Sequence, residues 1–411
     1  MRRIIISLIV ALVLTLPSSA QGFKVKVLHN FGATGDGSIP YGSPLLDPKG
    51  NLYGVTTDGG TGACGDYGCG TIYELSAQTG GSWNEKILHS FAAGGDGEAP
   101  WGGLLLDAAG NLYGTVKGDF NVGSGIFELS PGASGWTNTI LYDVYSGPGL
   151  VFDKAGNLYG SMGGGSASLG ALGELSPDAS GWSYTELYSF CPQYGCPDGW
   201  SEPAPPVFDK NGNLWGVTTY GGISQKPCAT DEGCGVVFEM TPDGDGTWTY
   251  NVIHQFASSS SDGQLPEGGL VADAAGNFYG ATEVGGAYNH GTIFKLSFAG
   301  TQWVETILYD FPNCVQACFP VGTMAIDKAG NLYGTTLGGV FNQTCGGFTC
   351  GEVFEMASQG NGRYKFTVLH KFVGTDGDIP LGVILDGKGN LFGTTKDGGT
   401  YGAGTAFELT P

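Results

Sequence analysis

Arginine is almost missing from this sequence. Of its three arginines, Arg2 and Arg3 fall in the opening residues and Arg363 stands alone in the rest, while the formal net charge is −21. Nucleic-acid binding rests on neutralising phosphates with basic side chains, and adhesion to an anionic membrane surface makes the same demand. Both functions are excluded on that ground. Several local signatures of catalysis are missing too: there is no Gly-x-Ser-x-Gly elbow, no phosphate-binding Gly-x-x-x-x-Gly-Lys loop and no His-Glu-x-x-His motif. Long stretches of helical periodicity are absent, which leaves strands as the building element. Only one long apolar run occurs, at residues 4–16, and it is too short for a comfortable bilayer span.

That run follows Arg2 and Arg3 and precedes Ser18-Ser19-Ala20, the pattern of a secretory signal removed before Gln21. The expected organisation is a signal peptide at 1–20 and one folded unit at 21–411. The expected location is extracellular or periplasmic, without membrane insertion and as a monomer.

What the chain has in abundance is a repeat. Asp47-Pro48-Lys49-Gly50-Asn51-Leu52-Tyr53-Gly54 returns at 107–114, 153–160, 209–216, 273–280, 327–334 and 386–393, its asparagines spaced by 60, 46, 56, 64, 54 and 59 residues. Such periods mark an array of supersecondary units. Each unit carries four β-rich segments: one ending at the motif Asp, the Asn-Leu-Tyr-Gly run, one like Gly70-Thr71-Ile72-Tyr73-Glu74-Leu75, and one from Trp83 to Phe91. The Asp-x-x-Gly-Asn link reads as a tight turn, Asp accepting from the backbone and Gly taking the left-handed conformation. A fourth-type strand at 23–31 precedes the first full unit, and the last unit stops after its third strand. The expected fold is therefore a seven-bladed β-propeller of four-stranded antiparallel blades, with the N-terminal strand completing the last blade.

The motif order Asp-x-x-Gly-Asn-Leu-Tyr-Gly, Gly-Gly, Gly-Thr-x-Phe-Glu-Leu resembles the GloVer (Gloeo/Verruco) tandem-repeat family of exported bacterial proteins, over residues 23–411. The resemblance implies a secreted propeller of unassigned biochemical role. A more distant likeness runs to NHL-type and gluconolactonase-like propellers through the same hairpin.

Loop lengths separate the two faces of the ring. The link between strands one and two is constant, whereas the intervals from the motif's last Gly to the third-strand Glu (Lys295 in unit five) are 20, 14, 14, 23, 15, 21 and 15. All ten cysteines lie in the variable links as close pairs, Cys64/Cys69, Cys191/Cys196, Cys228/Cys234, Cys314/Cys318 and Cys345/Cys350. None has Cys-x-x-Cys spacing, so they read as disulfides of an exported chain rather than metal thiolates. Function tends to sit on variable loops held by a rigid scaffold. The candidate ligand-binding residues are Tyr41, Trp101, Trp200 and Glu267 around the start of the inner strands, with His290, the one histidine outside a repeat position. The other four, His29, His89, His254 and His370, fill one strand position that Tyr142, Tyr188 and Tyr309 occupy elsewhere. Asp36, Asp96, Asp198, Asp262 and Asp376 begin Asp-Gly steps on the same face and read as turn residues. Ca²⁺ could use such loops, but none has the alternating acidic spacing of a dedicated calcium loop. No cofactor and no metal site are predicted, and no catalytic residue can be named.

The expected function is an extracellular binding or scaffolding module for a glycan or protein ligand. The alternative is a carbohydrate-active hydrolase, lactonase or lyase with carboxylates at the channel mouth, since two carboxylates from different blades can converge without a local motif. A sialidase is excluded, because those enzymes resemble one another in clamping a carboxylate with several arginines.

Overall fold

The computed structural model describes residues 22–411 apart from 119–123, 145, 164, 166–168, 180, 202–203, 223–227, 229–231, 258, 315–316, 339–344 and 346–349. The signal-peptide reading lies outside the described residues. Seven four-stranded antiparallel sheets follow one another around a ring. Blade 1 runs Gly37–Leu46, Leu52–Gly59, Thr71–Ala77, Trp83–Ser90 from axis to rim. The inner strands of blades 2 to 6 are Pro100–Leu106, Ser146–Phe152, Val207–Phe208, Val271–Ala272 and Cys318–Ile326. Blade 7 is made of Asp378–Leu385, Leu391–Asp397 and Thr405–Thr410, and its rim strand is Lys24–Asn30 from the other end of the chain. The ring closes as the strand count requires. No helix among the described residues is long and apolar enough to cross a membrane.

The Asp-x-x-Gly-Asn turns form as their chemistry dictates. In blade 2, Asp107 Oδ1 accepts from the backbone N–H of Ala109 at 2.9 Å and of Asn111 at 2.8 Å, and Oδ2 accepts from the Asn111 amide at 2.8 Å and the Tyr113 hydroxyl at 3.2 Å. Gly110 at the fourth position has φ 91°. With its acceptors occupied this way, the motif carboxylate is a turn residue.

Blades are joined by two devices. Phe31, Phe91, Phe190, Phe256, Phe311 and Phe372, each just after a rim strand, are buried against an aromatic ring in the third strand of the next blade, at centroid distances of 4.9 to 5.9 Å. Each buried phenylalanine contributes on the order of 2–3 kcal/mol. Outside this wedge lies a polar clasp that the sequence reading did not foresee. Four of the five Asp-Gly aspartates face a rim-strand histidine: Asp36, Asp96 and Asp376 are hydrogen-bonded to the Nε2 of His29, His89 and His370 at 2.9, 3.0 and 2.9 Å, and Asp262 lies 3.3 Å from His254 Nε2. Asp198 accepts from the Tyr188 hydroxyl at 2.8 Å. Where no such aspartate exists, Tyr142 and Tyr309 stack instead on Tyr184 and Phe366 of the following blade.

The rim strand of the following blade contributes a third member to four of these clasps. Asn138 donates to Asp96 at 2.9 Å, and the Tyr250 hydroxyl donates to the Asp198 carbonyl. At two interfaces this place holds Glu85, against His29 and Asp36, and Glu305, against His254 and Asp262. Burial, and then the neighbouring Asp36 carboxylate, push Glu85 up to about 9. Burial likewise lifts Glu305 to about 8, with Asp262 adding to it. Asp36 is lowered, the His29 contact and its hydrogen bonds outweighing burial. A raised Glu85 beside a lowered Asp36 puts the proton on the glutamate, in the place where Asn138 and Tyr250 are donors.

At the axis the inner strands approach backbone to backbone. A Cβ on Gly42, whose φ is 77°, would lie 3.0 Å from the Gly102 carbonyl carbon, and one on Gly322, φ 70°, would lie 2.6 Å from the Leu381 oxygen. Glycine is required there for both space and conformation.

Candidate functional site

The inner strands of blades 4 and 5 are reduced to two paired residues each, at Val207–Phe208 and Val271–Ala272. Pro205 and Pro206 remove two ladder donors in blade 4, and in blade 5 Pro266 removes one while Gly268 and Gly269 bring no side chain to pack. The backbone of blade 5 freed in this way is held both from blade 4 and from within its own blade. Thr219 Oγ1 donates to the Pro266 carbonyl at 3.2 Å, and the Glu283 N–H donates to the Leu265 carbonyl at 3.0 Å.

A cavity of about 290 Å³ lies on the axis. Tyr41, Val321, Leu337 and Leu381 give it an apolar wall, and Glu267 stands among Gly and Pro backbone from blades 3 and 4. Trp101 packs beside Tyr41 with centroids 6.2 Å apart, and the Lys117 ammonium lies over its ring at 4.9 Å. Two of the five residues expected from sequence, Tyr41 and Glu267, thus line the axial cavity, and Trp101 flanks it.

Trp200 belongs to a second cluster at the blade 4/5 corner. It stacks on Tyr220 with centroids 4.9 Å apart and 29° between planes, pairs with it through the backbone, and donates its indole N–H to the Glu232 carbonyl at 3.2 Å. Tyr220 is raised by burial and by the charges of Glu232, Glu267 and Glu283, so this aromatic pair and the Glu267 carboxyl share one electrostatic neighbourhood. Burial and the adjoining Glu283 push Glu267 up to about 7, and burial raises Glu283 too. Both carboxyls are held above the usual carboxylate range, the behaviour of like charges forced together. Such a pair can donate and accept hydrogen bonds at neutral pH, and it can move a proton.

His290 stands apart from both clusters. Its carbonyl accepts from the Phe319 N–H at 2.9 Å, and its ring meets Phe319 at 6.1 Å, so its visible role is to fasten blade 5 to blade 6. Sequence reasoning missed Tyr220 and Glu283. Glu283 follows the second strand at a place held elsewhere by Thr57, Lys117, Gly163, Thr219, Leu337 and Lys396, a position without repeat identity, so the repeat gave no signal for it. The five expected disulfides are all present, Cys64–Cys69, Cys191–Cys196, Cys228–Cys234, Cys314–Cys318 and Cys345–Cys350. Disulfides at this density belong to an oxidising compartment.

A model of the Gloeobacter/Verrucomicrobia repeat matches residues 13–227 and again 228–411. The chain belongs to this repeat family. Among curated proteins none matches the repeat protein significantly. Its ring is similar to a part of PorZ, a bacterial surface component of the type-IX secretion system of Porphyromonas gingivalis, with 15% identity and a TM-score of 0.53 over 93% of this chain. The repeat protein spans 47% of PorZ's length. A gluconolactonase from Xanthomonas campestris also matches, at 13% identity and a TM-score of 0.44, over 94% of this chain and 89% of the other. At such identities the likeness to PorZ is one of fold.

Proposed function

We propose that this repeat protein is an exported binding module whose ligand is a carbohydrate, taken at the channel mouth on the variable loop face. The observation carrying this reading is the stacked Trp200–Tyr220 pair and the Glu267 carboxyl in the lining of a cavity with an apolar wall. A pyranose presents C–H faces to aromatic rings and hydroxyls to groups that both donate and accept, and this mouth offers both. Few polar groups placed against apolar walls is the usual make-up of a small-molecule site. A glycan array with the wild type and a Tyr41→Ala/Trp101→Ala variant, with Trp200→Ala alongside, tests the reading. Selective binding lost in these variants supports the mouth; binding untouched by all of them moves the site elsewhere, and no binding to any glycan removes the carbohydrate.

A second reading, a carbohydrate-active enzyme, is favoured by Glu267 alone, because a carboxyl titrating near 7 is suited to general acid–base work. Turnover of an oligosaccharide that is abolished by Glu267→Gln with binding retained would establish it.

A further inference from the structure

Four tyrosines on the variable loops are turned into solvent. Tyr67 is 77% exposed, Tyr288 57% and Tyr401 58%, and Tyr194 is fully exposed. They come from blades 1, 5 and 7 and from the link between blades 3 and 4, so they are spread around the face that holds the mouth. Their local setting repeats. Each directly precedes a residue in the left-handed region, Gly68 at 78°, Gly195 at 84°, Asn289 at 60° and Gly402 at 74°. Two are framed by disulfides, Cys64–Cys69 and Cys191–Cys196. A left-handed residue after the tyrosine turns the chain sharply, and the disulfide fixes the turn, so the ring is presented with little entropy left to lose on contact. Beneath Tyr67 lies a groove of about 310 Å³ lined also by Thr57, Asp58, Glu98 and Lys117. Through Lys117, which covers the Trp101 ring, the groove leads back to the mouth.

We propose that these tyrosines form a second, extended binding surface, on which a polysaccharide chain without negative charge lies across the loops while one of its residues enters the mouth. This deepens the carbohydrate reading above and rests on it. Aromatic rings with a polar tip suit a surface that must be wet when empty and stack on sugar when filled. The charge of this face selects among polymers: two acids accompany the one lysine in the Tyr67 groove, and the chain as a whole carries −21. A polyanion would be repelled, whereas neutral hydroxyls find carboxylate acceptors. A protein partner would call for a fully apolar centre rimmed by polar groups, and among the described residues the exposed large hydrophobic side chains of these four loops are tyrosines only.

Retention of the purified protein on insoluble β-1,4-glucan, β-1,3-glucan and chitin tests this, with polygalacturonate and polylysine as charged probes and short oligosaccharides read by calorimetry. The wild type is expected to be retained on at least one neutral polymer and not on polygalacturonate. Tyr67→Ser/Tyr194→Ser/Tyr401→Ser should weaken polymer retention by about tenfold or more, leave oligosaccharide affinity and melting temperature unchanged, and be rescued by the matching Phe variant. Unchanged retention in the Ser variant overturns the second surface while leaving the mouth intact. Retention on polylysine alone replaces the glycan with a basic protein, and absence of binding to any saccharide removes both proposals.

Discussion

Replacing Glu85 by glutamine tests whether the blade 7/1 clasp runs on a proton. Glu85 titrates at about 9 in the fold against an ordinary 4.5, the causes being burial and the Asp36 carboxylate, with His29 and the Tyr73 phenol as the other titratable groups facing it. Its folded value is raised, so the folded chain keeps a proton that the unfolded chain gives up above pH 4.5. The stabilisation is complete below that pH and is lost as pH rises towards about 9. Between pH 5 and pH 8 the full linkage would amount to about 4 kcal/mol, at roughly 1.4 kcal/mol per pH unit. Solvent reaches part of the carboxyl, so about 2 kcal/mol is the reasonable expectation. Glutamine offers the same donor as Asn138 offers Asp96 and has no proton to lose. Glu85→Gln should therefore melt within a degree of wild type at pH 5 and about 2–3 °C above it at pH 8 for a chain of this size. Scanning calorimetry at the two pH values reads the difference. A gap that is the same at both would show that Glu85 is not protonated in the fold, and the donor argument would fail with it.

Asp107→Ala removes an acceptor used by two backbone N–H groups, an amide and a hydroxyl, and should cost about 2–3 kcal/mol in denaturant unfolding. A loss below 0.5 kcal/mol, as for an ordinary surface change, would mean the turn holds without its carboxylate. Deleting residues 22–31 strips the rim strand from Thr405–Thr410 and leaves an unpaired edge, so the product should elute as a dimer or aggregate on size exclusion, and a stable monomer would speak against strand closure. Glu267 is raised to about 7, so the mouth pair gains charge as pH climbs through neutrality. Affinity for a neutral glycan should fall from pH 6 to pH 8 in wild type and stay flat in Glu267→Gln, as calorimetry would show; a flat wild-type profile argues that the pair does not meet the ligand.

The fold could be read from the sequence because each blade spells out the same turn, and because one surplus strand at residues 23–31 matches one missing strand at the other end. The wedge and the clasp were half legible. His29 and Asp36, like His89 and Asp96, stand seven residues apart, His254 and Asp262 eight, His370 and Asp376 six, and Tyr142 and Tyr309 lack the aspartate. Their third partner comes from the next blade, and no pattern within one repeat announces that Glu85 will face Asp36. The mouth divides in the same way. Tyr41 and Glu267 could be placed because they precede the inner-strand glycines, while Tyr220 and Glu283 reach it from second strands whose side-chain direction depends on the pleat. The exposed tyrosines were invisible for the opposite reason, since sequence does not say which aromatic residues of a loop stay out of the core.

The glycine contacts at the axis have a consequence for how such a chain can change. Where Gly42 meets Gly102 and Gly322 meets Leu381, the gauge of the bore is set by main chain against main chain. Side-chain substitution can neither widen nor narrow it. Variation in this family is therefore channelled outward, to the residue just before each glycine and to the loops above, like interchangeable tips on a handle of fixed diameter. Two members could differ wholly in what they grip while their scaffolds superpose.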